Sequence, residues 1–455
     1  MRPTGTRSRT HSRLGYIGAR ARLYSLEHWG VKLGLQNITD FCERLGRPQD
    51  HFLSLHIAGT NGKGSVAAFL DAILRAAGYR VGRYTSPHLR DFRERIHING
   101  APVPANWIAQ FVECHWTEVA AKQYTYFEVA TALAFDSFAR AGIDVAVVEV
   151  GLGGRFDATN IIDPALAVIT RIARDHEHVL GHTPEAIAFE KAGILKPGVP
   201  AVIGPMDERA ESTIRAIANE RGAPLWSAAE LLVADANPLL SGAATHALRI
   251  PLAGQHQTTN LAIAVAAASL ADSVGIALSA ASVAKGVAGS CWPARFQIDK
   301  GKPTVVYDAA HNPDGIRSLI QTWKDRFGQA RCAVVFDART DKNFQEMIRL
   351  LAPITSAWVG CPLPGAPGIS ADTMGRLVKS QGVAFDWEES PRAALRKAKL
   401  IAGARGLVLL TGSHFLVGAV IPAGLLGPPS RAGARLRSVS FSQLLAAAKD
   451  RGAAF

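Results

Sequence analysis

Between Asp144 and Glu149 the chain reads Val-Ala-Val-Val, and Val150 follows. A strand with one wet face alternates polar and apolar side chains, so an unbroken apolar run implies burial on both faces. Short runs of the same kind occur at residues 52–57, 165–172 and 199–203. Helical spacing fills residues 65–77, 127–141, 184–194 and 207–221 between and beyond them. Strands of this kind alternating with helices predict a parallel sheet covered by helices on both sides. After a helix expected at 260–274, Cys291-Trp-Pro-Ala-Arg-Phe296 places a proline where a hinge would fall. A second series follows, with strands expected at 304–307, 332–336, 357–361 and 406–410. The expected architecture is α/β. A P-loop parallel-sheet domain spans 23–295, a smaller Rossmann-like α/β domain spans 296–422, and basic extensions occupy 1–22 and 423–455.

The net charge of +12 on 455 residues invites a polyanionic partner. Its distribution argues otherwise. Residues 1–22 hold six arginines and no acid, and residues 424–455 hold five cations against one acid. The rest of the chain is close to neutral and lacks a basic-aromatic stripe, so no nucleic-acid partner is expected. Both ends are rich in Arg, Ser, Gly, Ala or Pro and are expected to be poorly ordered. An acid-free, Arg- and Ser-rich start also fits a transit peptide, but a frayed extension is the simpler reading. No apolar run reaches the roughly 20 residues of a membrane span. The five cysteines are widely spaced without C-x-x-C, which suits a reducing compartment such as the cytoplasm.

Gly59-Thr60-Asn61-Gly62-Lys63-Gly64-Ser65 lies between an expected strand and an expected helix. In that context backbone N–H groups and a helix N-terminus can hold phosphates, with Lys63 reaching the outer ones. The usual G-x-x-x-x-G-K-[ST] is not met: residue 57 is Ile, and Gly64 stands where a metal-binding hydroxyl is expected. Another group should then supply that hydroxyl. Thr85-Ser86-Pro87-His88 follows the next strand, so Ser86 is the candidate, although a Ser-Pro turn alone reads equally as a plain turn. Glu149 closes the buried strand beside a glycine-rich stretch, which fits a Mg²⁺ ligand better than a salt bridge. Asp175-His176 follows another strand at the same sheet edge, making His176 a further metal candidate. Lys191 lies on a helix, where most lysines are simply solvated.

Together these segments resemble the folylpolyglutamate synthase family, within the Mur-ligase-like ATP-dependent amide ligases. The resemblance runs from about residue 23 to about 420. It also rests on Gly30-Val-Lys-Leu33, Thr125-Tyr-Phe-Glu128, Trp292–Phe296 and Asp308-Ala-Ala-His311-Asn-Pro313. It implies that residues Gly59–Ser65 hold ATP, with Asn260, Arg295, Asp308, Ala309, Ala310 and His311 closing on it. It implies that Ser86, Glu149 and His176 bind Mg²⁺, and that Lys191, carbamylated, supports a second ion. It places the pterin-carrying substrate against Val31, Lys32, Leu33, Thr125, Tyr126, Phe127, Phe156, Asp157 and Ala158. Lys63, Lys191, His311 and Asp308 are the expected catalytic groups, the last two orienting the incoming glutamate or its amine.

The implied reaction activates a carboxylate as an acyl phosphate, which the amine of L-glutamate then attacks. The Gly153-Gly-Arg155-Phe156-Asp157 segment resembles members that make dihydrofolate as well as extending reduced folates. A monofunctional chain extender and a cell-wall Mur ligase are the alternatives. Ala309, where many members have Gly, and Ser413-His414-Phe415 depart from the common pattern. The expected partners are dihydropteroate, reduced folates, L-glutamate and ATP, with the chain acting as a monomer away from membranes.

Overall fold

A computed structural model describes residues 14–30, 32, 34–233, 247–427 and 436–451. Its strands are β1 (Leu53–Ala58), β2 (Val81–Tyr84), β3 (Ile96–Ile98), β4 (Ala101–Pro102), β5 (Val145–Glu149), β6 (Leu166–Ile169), β7 (Ala201–Ile203) and β8 (Leu225–Ser227). They form one sheet in the order β4-β3-β2-β5-β1-β6-β7-β8. From β2 to β8 every pairing is parallel; β3 and β4 add an antiparallel edge. Residues of β1, β5, β6 and β7 are almost wholly buried, as their apolar runs require. Helices Lys63–Ala76, Gln255–Leu270 and Ala280–Gly289 cover one face. Helices Tyr16–Ser25, Gln36–Arg44, Ala105–Lys122 and Tyr126–Ala141 cover the other.

β9 (Ala247–Ile250) stands outside that sheet. The second sheet comprises β10 (Gln297–Asp299), β11 (Thr304–Tyr307), β12 (Cys332–Phe336), β13 (Thr355–Gly360), β14 (Ala384–Trp387) and β15 (Leu407–Thr411), in the order β10-β11-β15-β12-β13-β14. It is parallel except for β10. No described helix is long and apolar enough to cross a membrane.

The described parts of both ends differ from the expected loose extensions, while residues 1–13, 428–435 and 452–455 lie outside the described residues. Tyr16–Ser25 is a helix whose Ala19 and Leu23 are buried under the first domain. Composition missed it because a few small and apolar residues make the seam, and its arginines gain partners only from the folded domain, Arg20 on Asp91 and Arg22 over Trp116. Within 423–455, β16 (Arg437–Ser440) pairs antiparallel with β9, and the helix Phe441–Lys449 follows, capped at both backbone and side chain by Ser440 and Gln443. Val439, Leu444 and Ala448 enter the core of the first domain beside Gln255–Leu270. The chain thus returns from the second domain to the first. Leu444 is 1% exposed. Leu444→Ala is expected to cost about 2–4 kcal/mol, because it leaves a cavity in that core. Thermal unfolding checks this, and an unchanged midpoint would show that the segment adds nothing to the domain.

Candidate active site

Parallel strands put all their carboxyl ends on one edge, and loops there define the crevice. β2, β5, β1 and β6 are neighbours, so the loops after them meet. After β1 the chain turns at Gly59, with φ +141, and at Gly62, with φ +93, into the helix starting at Lys63. A Cβ on Gly59 would sit 1.9 Å from Thr170 Oγ1, and one on Gly62 would sit 2.3 Å from Asn260 Oδ1. Both glycines are therefore dictated by close approach as well as by backbone geometry. Thr60 N–H donates to the Arg171 carbonyl, and Thr60 Oγ1 exchanges hydrogen bonds with Ala173. Ser65 is buried in the first turn of the helix, beside Gly64.

Gly64 has a physical reason. A Cβ there would lie 2.4 Å from Trp292 Cζ2, so the hinge tryptophan occupies the space a Ser or Thr would need. Trp292 also takes the Arg83 guanidinium over its ring, 5.3 Å from the centroid.

Lys63 Nζ donates to the carbonyls of Gly59 and Thr60, and Lys191 Nζ donates to Gly59 O at 3.0 Å. Lys191 is 4% exposed, far from the solvated helix lysine that position alone suggests. Burial, and secondly the nearby Lys63, pull its amine down to about 7. Glu149 is 4% exposed and accepts one hydrogen bond, from Ser86 N–H at 3.2 Å. Burial raises its pKa, against the fields of Lys63, Arg295 and Arg95. A buried carboxylate with one donor and no ion pair among the described residues is under-compensated, which is the environment a divalent cation would complete. Ser86 and His176 line the same cavity. His176 sits at φ +51 with Nε2 facing Lys342 Nζ at 2.9 Å. A hydroxyl, a carboxylate and an imidazole are ligand types a divalent ion accepts, and here His176 Nε2 meets Lys342. His176 also belongs to a second grouping: its ligand atom lies within 4.8 Å of those of His178 and Asp341.

The second domain closes the crevice. Asn61 donates to Asn312 Oδ1 and Asp314 Oδ2, and Asn312 Nδ2 donates to Asn61 Oδ1 and Asp175 Oδ2. Arg171 pairs with Asp314 at 3.1 Å. Asn260, Arg295, Asp308, Ala309, Ala310 and His311 line one cavity with Asn61, Gly62 and Ser65. Asp308 is spent within the hinge: its oxygens accept N–H from Phe296 and Ala310, each at 2.8 Å. Burial raises its pKa, with Arg295 opposing. His311 Nδ1 lies 3.0 Å from Ala309 O, a contact that needs the proton on Nδ1 and leaves Nε2 with a lone pair. Burial pulls its pKa to about 4, so it is neutral at physiological pH.

The substrate residues enclose a cavity of about 590 Å³. Thr125 caps the helix Tyr126–Ala141. The Tyr126 hydroxyl is buried without a hydrogen-bond partner. Phe127 packs where a Gly151 Cβ would be, 2.3 Å from its Cζ. Phe156 is 38% exposed at the cavity, with Ala158 lining it too. Asp157 accepts N–H from Leu152 and Thr159 as well as the Thr159 hydroxyl, so it holds the glycine loop in shape. Lys32 donates to the Gln123 carbonyl. Val31 and Leu33 fall outside the described residues.

Sequence reasoning missed Lys342, which reaches across from the second domain to Asp175 Oδ1 at 2.5 Å and to His176. It stands in the loop after β12, so the rule applied to the first sheet would have flagged it in the second. It also missed Trp292 as the wall behind Gly64.

Two family models match: the Mur ligase middle domain over residues 57–268 and the Mur ligase glutamate ligase domain over 294–414. The class is therefore that of the Mur-type ligases. The chain is 35% identical over 422 residues to the dihydrofolate synthase/folylpolyglutamate synthase of Bacillus subtilis, covering 88% of this chain and 97% of that protein. A FolC from Escherichia coli in complex with DHPP and ADP superposes with a TM-score of 0.77 at 32% identity, covering 90% of this chain and 98% of that one. A bifunctional folylpolyglutamate synthase/dihydrofolate synthase with Mn, AMPPNP and L-glutamate bound gives 0.75 at 33%, covering 89% and 97%. This chain belongs to the dihydrofolate synthase/folylpolyglutamate synthase family.

If Trp292 dictates glycine at 64, Gly64→Ser will not restore a metal-binding hydroxyl. It is expected to raise the KM for ATP by about tenfold or more, and Trp292→Leu on top of it should recover part of the loss. Wild-type ATP kinetics for Gly64→Ser would show that the ring does not confine this position.

Proposed function

We propose that this chain is an ATP-dependent ligase that joins L-glutamate to dihydropteroate and also extends reduced folates at the γ-carboxylate. One observation carries the reading. The phosphate loop, Glu149, Ser86 and His176 meet at one sheet edge, opposite His311 and Lys342 of a second domain, beside a cavity bounded by Thr125–Phe127 and the Gly-Arg-Phe-Asp segment.

A carboxylate does not acylate an amine at neutral pH, because oxide would have to leave. In the proposed reaction the substrate carboxylate attacks the γ-phosphorus of ATP, ADP departs, and an acyl phosphate forms. Lys63 and Arg295 stabilise the charge on the transferring group. Bound Mg²⁺, held by Ser86, Glu149 and His176, would add charge neutralisation at the phosphates. The glutamate amine then attacks the acyl carbon, phosphate leaves, and the amine gives up a proton. His311, neutral and with its Nε2 lone pair 3.7 Å from Asp175 Oδ2, orients that amine. Asp308 positions Arg295 and the hinge rather than touching substrate. Contacts such as Asn61–Asn312 and Arg171–Asp314 keep the two domains closed over an intermediate that water would destroy. One chain supplies every group named, so we read it as a working monomer. Its five cysteines are unpaired, in keeping with a reducing cytoplasm.

Incubation with dihydropteroate, L-glutamate and ATP tests the reading. ADP and dihydrofolate should form together, and a reduced folate should gain glutamates in a parallel reaction. ADP release no higher than without the acceptor would sink the folate reading, and product from the reduced folate alone would favour the monofunctional extender.

Lys191 is proposed to carry a carbamate. Its amine is buried and held near neutrality, so the nucleophilic form that reacts with CO₂ is available. With ¹³C-bicarbonate, wild type should show a carbamate carbon signal that Lys191→Gln lacks, and the variant should lose about a hundredfold or more in kcat. An identical spectrum from both proteins would remove the carbamate.

A further inference from the structure

The two acceptors differ in charge. Dihydropteroate presents one carboxylate, the one to be activated. A folyl-glutamate brings a second, the α-carboxylate, a few bonds from the activated γ-carboxylate. An enzyme that takes both needs a cation near the transfer point yet not engaged in it.

Among the described residues five cations line the substrate cavity: Lys32, Arg95, Arg155, Arg339 and Lys342. Four are committed. Arg155 holds Glu190 through Nε and Nη2 and stacks on Phe156 and Phe189. Lys342 bridges Asp175 and His176. Lys32 is on the Gln123 carbonyl and over Trp29. Arg95 is 8% exposed, with Nε on His88 Nδ1 and its guanidinium over Tyr126.

Arg339 differs. It lies in the loop after β12, three residues before Lys342, so the chain itself keeps it close to the transfer point. Its Nε and Nη2 rest on Asp341 at 2.9 and 3.4 Å, and Nη1 has no partner among the described residues. Its side chain is 43% exposed. From the first domain Glu27 lines the same cavity and lies within the electrostatic reach of both Arg95 and Arg339. Arg339 therefore already faces a carboxylate across the cavity.

We infer that Arg339 binds the α-carboxylate of glutamate-bearing acceptors, so that it serves chain extension and not the first addition to dihydropteroate; this rests on the function proposed above. A guanidinium edge suits a carboxylate in both shape and charge. The test compares KM for dihydropteroate, for tetrahydropteroyl-monoglutamate and for the α-carboxamide of the latter. Arg339→Gln should raise KM for the monoglutamate about tenfold, on the scale of one charge-assisted contact, and that for dihydropteroate less than about twofold. Arg339→Lys should recover part of the loss. The α-carboxamide should show the same rise with wild type, and Arg339→Gln should worsen it no further. A rise shared equally by dihydropteroate and the monoglutamate, or by neither, overturns the inference. Failure of the wild type to use any acceptor would instead overturn the proposed function, and the inference with it.

Discussion

Everything at this site depends on one constraint: β1 lies between β5 and β6, in parallel, with β2 beyond β5. Ile57 stands opposite Glu149 and Ala58 opposite Ile169. That register brings the phosphate loop, the buried acid, Ser86 and the Asp175-His176 loop to one edge. A parallel ladder allows this because each strand ends on the side where its neighbours end. Helices packed on both faces hold the register, since slipping one residue would exchange the side chains that interlock with each layer.

Around that edge the two domains are joined by a small number of polar contacts rather than a broad apolar seam. Asn61, Arg171, Asp175 and His176 meet Asn312, Asp314 and Lys342. Such contacts are directional and exchangeable with water, as suits an interface that must admit ATP and release ADP. Asp308 supplies the stiffness at the hinge by gripping two backbone N–H groups, and Trp292 ties the hinge to the phosphate loop through Gly64. The C-terminal segment adds a second link. It leaves the second domain and buries Val439 and Leu444 against the helix that carries Asn260.

Much of this was legible locally. The apolar strands, the glycine turn and the acid closing β5 are patterns of period and position, and they appear where the spacing puts them. What escaped shares one physical character. The helix Tyr16–Ser25 and the segment Arg437–Lys449 have basic, polar compositions, and their few apolar residues gain meaning only from the surface they meet. Lys342 is one lysine among many until the second domain sets it against Asp175. Asp308 looked like a group for the substrate amine, but its oxygens are turned into the hinge.

By itself the sequence determined which elements form and which loops carry chemistry, because helix and strand periods and glycine's freedom are properties of neighbouring residues. Only the tertiary structure decided what each group faces. Gly64 is glycine because a tryptophan 228 positions later fills the space beside it. The Lys191 pKa is drawn down to about 7 because the fold removes it from water and sets it beside Lys63. Arg339 keeps one edge open because Asp341, two residues on, takes only its Nε and Nη2. Burial and long-range contact set charge and access, and neither is a property of any short stretch of chain.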